Sequence, residues 1–217
     1  PYLYRVICTI REGSRVLDRL DYPLGLRWTE VDARTGFRLN GKPYRLFGTN
    51  RHQDYPGLGN ALPNDIHRSD LLKIKNNGFN FLRLAHYPQD PEVLETADEI
   101  GLLVWEETPV VNLIGLSTRF RQNSARMVRE MVRQDRHHPS VIFWGYMNEV
   151  TLVEPEPLPR NYYEEVVSLA KYLDGIVREE DPLRPTVMAI SRDEIDNGVP
   201  LGSVPDILAL NLYFGWY

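Results

Sequence analysis

The chain has 217 residues, 42% hydrophobic and 25% charged, which suits one or two packed domains and argues against disorder. Acids and bases are interleaved around a net charge of −5, so no basic stripe marks a nucleic-acid surface. No apolar run approaches the roughly 18 residues of a membrane-spanning helix. The single cysteine, Cys8, excludes an internal disulfide and a cysteine-rich metal site. The opening Pro1-Tyr2-Leu3-Tyr4 is not a signal peptide and reads as a cut inside a longer chain.

Residues 1–30 read as β structure. Tyr2 to Ile10 is rich in β-branched and aromatic residues, Glu12-Gly13 marks a turn, and Arg15-Val16-Leu17-Asp18 opens a second strand. Two or three strands with nothing to pack against are marginal alone, so this part reads as the tail of a β-domain whose front is missing. Thr35 to Pro43 is a short hairpin turning on Asn40-Gly41. From Tyr44 onward strands and helices alternate. An apolar run at Tyr44–Asn50 precedes a helix from Ile66 to about Asn77, with Asn64-Asp65 as a cap. Strands follow at Phe79–Leu84, Leu102–Trp105, Val141–Met147, Pro185–Ile190 and Ile207–Leu212. Helices lie between them at Pro91–Ile100, Thr118–Arg136 and Tyr162–Glu180. The fold class is α/β, with apolar strands that fit burial on both faces. A doubly wound sheet fits this order. So does a (β/α)₈ barrel, which typically takes about 250 residues and would here stop after its sixth strand.

Polar residues follow each apolar strand at once: Asn50-Arg51-His52, His86-Tyr87, Glu106-Glu107, Asn148-Glu149, then Asn211 and Tyr213. In a parallel α/β fold these ends share one face, where loops build the active site. Solvent exposure alone would explain one such end. Five rich in His, Glu, Asn and Tyr point to a polar, hydroxylated ligand. Glu149 is the leading candidate for a general acid, because desolvation at the mouth of an apolar strand favours a protonated carboxyl. A salt-bridged loop carboxylate satisfies its position equally well. Asn148 both donates and accepts, which suits a sugar hydroxyl. Adjacent Glu106 and Glu107 point to opposite faces of a strand, so at most one faces the centre, and a structural role, pairing with an arginine, is favoured. Arg83 needs a carboxylate partner if buried, either catalytic or structural. His137-His138 suits a helix C-terminus. His67 is read as a surface residue, Phe143 and Trp144 as core, and Trp216-Tyr217 as an aromatic pair able to stack on a sugar.

Two long stretches carry a resemblance. Asn80 to Pro88 with Ala97 to Leu102, and Asp135 to Glu149, resemble the signatures of glycoside hydrolase family 2, which includes β-galactosidases and β-glucuronidases. Gly36 to Lys42 and Asn50-Arg51-His52 fit the entry to that family's barrel. The resemblance covers almost the whole chain. It implies a retaining exo-β-glycosidase on a partial (β/α)₈ TIM barrel over residues 31–217, with residues 1–30 ending an immunoglobulin-like β-sandwich domain. By the same resemblance Glu149 matches the acid/base and Asn148 the asparagine that hydrogen-bonds the sugar 2-hydroxyl. His52 and His86 match histidines around the sugar, Arg83 the arginine beside the nucleophile, and Tyr213 the tyrosine that hydrogen-bonds the nucleophile. The family's nucleophile lies on a seventh strand, and no residue here matches it. Glu154, Glu156, Glu164 and Glu165 sit in the loop and helix after Glu149. The 217-residue chain is therefore expected to be inactive alone, and its open sheet edge to drive self-association. Where larger members bind magnesium, this chain reads Val111-Asn112-Leu113, so no cofactor is expected. Gln53 to Gly59 sides with β-galactosidases, with β-glucuronidase as the alternative and a non-catalytic carbohydrate-binding module as the reading of another class. A carbohydrate is the expected partner, with neither nucleic acid nor membrane. The state of a homo-oligomeric parent and the cellular compartment are left open.

Overall fold

A computed structural model describes residues 2–192, 195 and 198–215, so Trp216 and Tyr217 lie outside the described residues. The chain opens with a long antiparallel hairpin of β1 (Leu3–Glu12) and β2 (Arg15–Gly25). Its apolar side chains Ile7, Ile10, Leu17 and Leu20 are all exposed. A second, three-stranded antiparallel unit follows: β3 (Thr29–Asp32), β4 (Gly36–Leu39) and β5 (Lys42–Pro43). Its turn is the expected Asn40-Gly41, with φ of 51° and 73°, the paired positive angles of a tight hairpin turn.

The rest alternates. The order is β6 (Gly48–Arg51), α1 (Asn64–Asn76), β7 (Phe81–Leu84), α2 (Pro91–Ile100), β8 (Leu103–Glu107), α3 (Thr118–Asp135), β9 (Val141–Asn148), α4 (Tyr162–Glu180), β10 (Thr186–Ile190) and β11 (Ile207–Leu210). All six strands from β6 to β11 pair in parallel and in sequence order. A doubly wound sheet reverses its order at a switch point. This one never does, which excludes that alternative. Residues of β6 and of β11 line one common cavity, so the sheet curls as a barrel wall.

Side chains of β8 alternate. Val104 joins the large core between sheet and helices, with Leu94, Val128, Trp144 and Leu173. Leu103 and Trp105 face the interior, where Phe37 and Leu39 of β4 pack beside Phe143. The β3–β5 unit thus plugs the interior near the strands' N-terminal ends, and its Phe37 ring meets Phe143 edge-on with centroids 5.9 Å apart. The polar C-terminal ends are left open above it. Trp144 is fully buried, as expected for core, and its indole donates to Asp181 at 2.9 Å.

Three local expectations need correction. Asn64-Asp65 does not cap α1: the helix already includes Asn64, and Pro63 precedes it without a side-chain bond. His67 is fully buried rather than on the surface; its Nδ1 lies 3.1 Å from Arg51 Nη2, which fastens the end of β6 to α1. His138 is a buried partner of Asp98, at 2.6 Å, rather than a helix-end dipole residue. Asp98 also accepts from the backbone N–H of Ser140 at 2.8 Å, which ties α2 to the chain entering β9.

Glu106 faces the helices from β8 and is fully buried. Burial, then the nearby Asp135 carboxylate, pushes it well above the usual carboxylate range. Burial also raises Asp135. The folded state therefore holds a proton that the unfolded chain releases above the ordinary carboxylate range, so stability falls as pH rises through that window. Glu106→Gln keeps the size of the side chain without the titration. The full-length variant is expected to melt a few degrees above wild type at pH 8 and to match it near pH 4. A difference unchanged between the two pH values would count against a Glu106 that stays protonated in the fold.

β6 and β11 are the two edges of the six-stranded sheet, and Leu208 and Leu210 on β11 are exposed. Unpaired strand edges template association. The chain expressed alone is expected to self-associate in light scattering; a monodisperse, cooperatively melting monomer would contradict this.

Candidate active site

The open end of the curled sheet gathers the polar strand ends. A cavity of about 370 Å³ is lined by Asn50, Arg83, Trp105, Asn211 and Tyr213, among others. A second, of about 560 Å³, shares Asn211, Leu212 and Tyr213 with it and reaches Glu149, Leu152 and Phe214. Arg83 is the hub. It is 5% exposed, and its guanidinium lies 4.1 Å from the centroid of the Trp105 ring. Its Nε donates to Glu107 Oε2 at 3.0 Å and its Nη2 to Glu107 Oε1 at 2.9 Å. Such a fork is the strong form of a charge pair. Nη2 also donates to Asn148 Oδ1 at 2.8 Å, and Nη1 to Asn211 Oδ1 at 3.3 Å. Asn211 Nδ2 donates to Asn148 Oδ1 at 3.0 Å.

His86 closes the cluster, with Nδ1 2.6 Å from Glu107 Oε1. The His52 ring stands edge-on to it, centroids 5.2 Å apart. Desolvation, then the neighbouring His86, holds the His52 imidazole below its usual range. The loop after His52 is fastened by Gln53, whose backbone N–H donates to the Tyr87 hydroxyl at 3.0 Å.

Glu149 follows the last residue of β9 and is 6% exposed. Its φ is 46°, the left-handed region, where a residue other than glycine typically costs about 1–3 kcal/mol and persists only when its surroundings enforce it. Here its N–H donates to the Ala189 carbonyl at 3.0 Å, and its own carbonyl accepts from Leu152 N–H at 3.0 Å. These two bonds turn the chain sharply out of β9 and leave Glu149 on the wall of the larger cavity.

Arg83, His86 and Asn148 thus meet in one hydrogen-bonded cluster, the His52 ring stands edge-on to it, and Glu149 and Tyr213 share the adjoining cavity. Of the two adjacent glutamates, Glu107 is the one that faces the centre, and it pairs with Arg83 as a structural role predicts. Two further contributors have no role in the sequence reading. Asn211 was noted only as a polar strand end. Trp105 carried no role, although its place two residues before Glu107 puts both on one face of β8.

The glycosyl hydrolases family 2 TIM-barrel domain model matches residues 30–217. The chain is 35% identical to a β-glucuronidase of Bacteroides fragilis across its whole length, and 35% identical to a β-galactosidase of Thermoanaerobacter pseudethanolicus over 80% of it. The crystal structure of a Bacteroides uniformis β-glucuronidase superposes with a TM-score of 0.92 and 40% identity over 99% of the chain. The chain spans 30%, 23% and 26% of those three proteins respectively. The matched family model and the sequential parallel sheet agree that this chain belongs to glycosyl hydrolase family 2, with its half-barrel sheet lying in the TIM-barrel domain.

Proposed function

We infer that the full-length protein is a retaining exo-β-glycosidase and that this chain supplies the acid/base half of its site. The observation that carries this reading is Glu149, buried beside Asn148 on a left-handed backbone at the rim of a polar cavity. In the first step Glu149 protonates the leaving oxygen while a second carboxylate attacks the anomeric carbon. In the next step Glu149 takes a proton from water, which releases the sugar. The two carboxyl groups of such a pair stand about 5–5.5 Å apart. Glu107 is a poor nucleophile because both of its oxygens are committed to Arg83 and His86, so the nucleophile is assigned to the part of the protein outside this chain. Asn148, His52 and His86 bind the sugar, Arg83 supports the nucleophile, and Tyr213 meets it. Residues 1–30 end a preceding β-sandwich domain, whose remainder covers the exposed apolar residues of β1 and β2.

A β-glucuronide is the favoured substrate, since the similar proteins are more often named β-glucuronidases than β-galactosidases. A β-galactoside is the second reading, favoured by the match to the Thermoanaerobacter enzyme. Purified full-length protein with p-nitrophenyl β-glucuronide and β-galactoside separates them. Turnover of the glucuronide supports the first, and turnover of the galactoside alone the second. Saturable sugar binding without turnover of any β-glycoside would replace both with a carbohydrate-binding role.

A further inference from the structure

Glu107 is the one fully buried carboxylate among these strand ends that faces the interior of the barrel, and it touches two residues of the site at once. A carboxylate only accepts hydrogen bonds. The 2.6 Å contact between Glu107 Oε1 and His86 Nδ1 therefore requires the proton of His86 on Nδ1. Arg83 Nη2 also approaches that nitrogen, at 3.4 Å. With a proton on Nδ1 this is a meeting of two N–H groups, held together by the carboxylate they share. A neutral imidazole protonated at Nδ1 presents Nε2 as a bare acceptor.

The same carboxylate acts on Asn148 through the arginine. Glu107 anchors the guanidinium by two bonds, and the anchored Nη2 donates to Asn148 Oδ1 at 2.8 Å. Asn211 Nδ2 donates to the same oxygen at 3.0 Å. Two donors occupy both lone pairs of that carbonyl. What Asn148 has left to offer a ligand is its amide N–H.

We propose that Glu107 is a positioning residue that sets the hydrogen-bond polarity of the sugar pocket. Through Arg83 it makes Asn148 a donor, and through Nδ1 it makes His86 an acceptor at Nε2. The proposal rests on the glycosidase reading and narrows it. The group facing His86 must donate, so it is a ring hydroxyl; an ionised sugar carboxylate, which cannot donate, is seated elsewhere in the pocket.

The test uses the full-length protein and aryl β-glycosides of the sugar it hydrolyses, with each ring hydroxyl replaced in turn by fluorine, which cannot donate. In wild type, one fluorinated position is expected to lose kcat/KM well beyond the inductive effect of fluorine. Glu107→Gln is expected to lower kcat/KM for the unmodified glycoside roughly 10- to 100-fold, the scale of a displaced reacting group. At the position facing His86 the fluorine penalty should shrink at least several-fold in the variant, because the imidazole is no longer held in one tautomer. The inductive effect is common to both proteins and cancels in that comparison. A purely structural role would lower all substrates alike, and equal penalties in the two proteins would overturn the proposal. If Glu107→Gln does not fold, the ¹⁵N spectrum of histidine-labelled wild type decides. His86 protonated at Nδ1 alone supports the proposal, and a proton on Nε2 overturns it. A full-length protein that turns over no β-glycoside yet shows the Nδ1 tautomer upholds the polarity set by Glu107 and sinks the glycosidase reading instead.

Discussion

Full-length protein carrying Glu149→Gln is expected to hydrolyse β-glycosides of poor leaving groups about 10²–10⁴-fold more slowly than wild type, the usual worth of a general acid. An alkyl or saccharide leaving group departs as a basic alkoxide unless it is protonated, so it needs the acid. A dinitrophenolate departs without help. Formation of the glycosyl-enzyme from a dinitrophenyl glycoside should therefore be nearly unaffected in pre-steady-state measurements, while its hydrolysis slows for want of a base. The variant keeps the size and polarity of the side chain, so the φ of 46° and the backbone bonds to Ala189 and Leu152 are retained. Equal losses on activated and unactivated substrates would deny Glu149 the acid role and return it to the salt-bridged loop residue that its position alone also allowed.

Gly145→Ala is expected to cost about 3 kcal/mol or more, at the upper end of overpacking effects, and to abolish activity with it. A Cβ at this position would stand 2.4 Å from Trp105 Nε1, 2.6 Å from Glu107 Cβ and 3.2 Å from Glu107 Oε2. Neither neighbour can yield cheaply. The indole is covered by the Arg83 guanidinium, and the Glu107 carboxylate is pinned by three contacts. One methyl group on β9 thus pushes the whole arginine cluster towards the cavity. Urea unfolding of the full-length variant, followed by tryptophan fluorescence, should show the barrel transition at lower denaturant. Unchanged stability and activity would mean that β8 and β9 can separate at this point.

The order of elements was legible because local signals and the global fold agree. Pro91 and Gly101 bracket α2 as expected, with the Asp90 side chain capping it. Asn40-Gly41 makes its hairpin turn, and α4 spans the expected Tyr162–Glu180. The convergence of Asn148 and His86 followed from the parallel strand order alone. What was not legible depended on neighbours distant in sequence. His67 looks like a surface residue of a polar helix until Arg51 of β6 meets it. His138 looks like a helix-end histidine until Asp98 of α2 reaches it. The two glutamates of β8 are interchangeable in sequence. Only the register of the strand sends Glu107 inward to Arg83 and Glu106 outward to Asp135.

The central claim, that this chain carries the acid/base of a retaining glycosidase, is tested most directly by azide rescue of full-length Glu149→Ala with a dinitrophenyl β-glycoside. Without Glu149 the glycosyl-enzyme forms but water attacks it slowly. Azide needs no base; it attacks the anomeric carbon and displaces the enzyme carboxylate. The account predicts faster turnover in azide and a glycosyl azide of β configuration. An α-glycosyl azide would make Glu149 the nucleophile, and a variant as active as wild type without azide would remove it from the chemistry altogether.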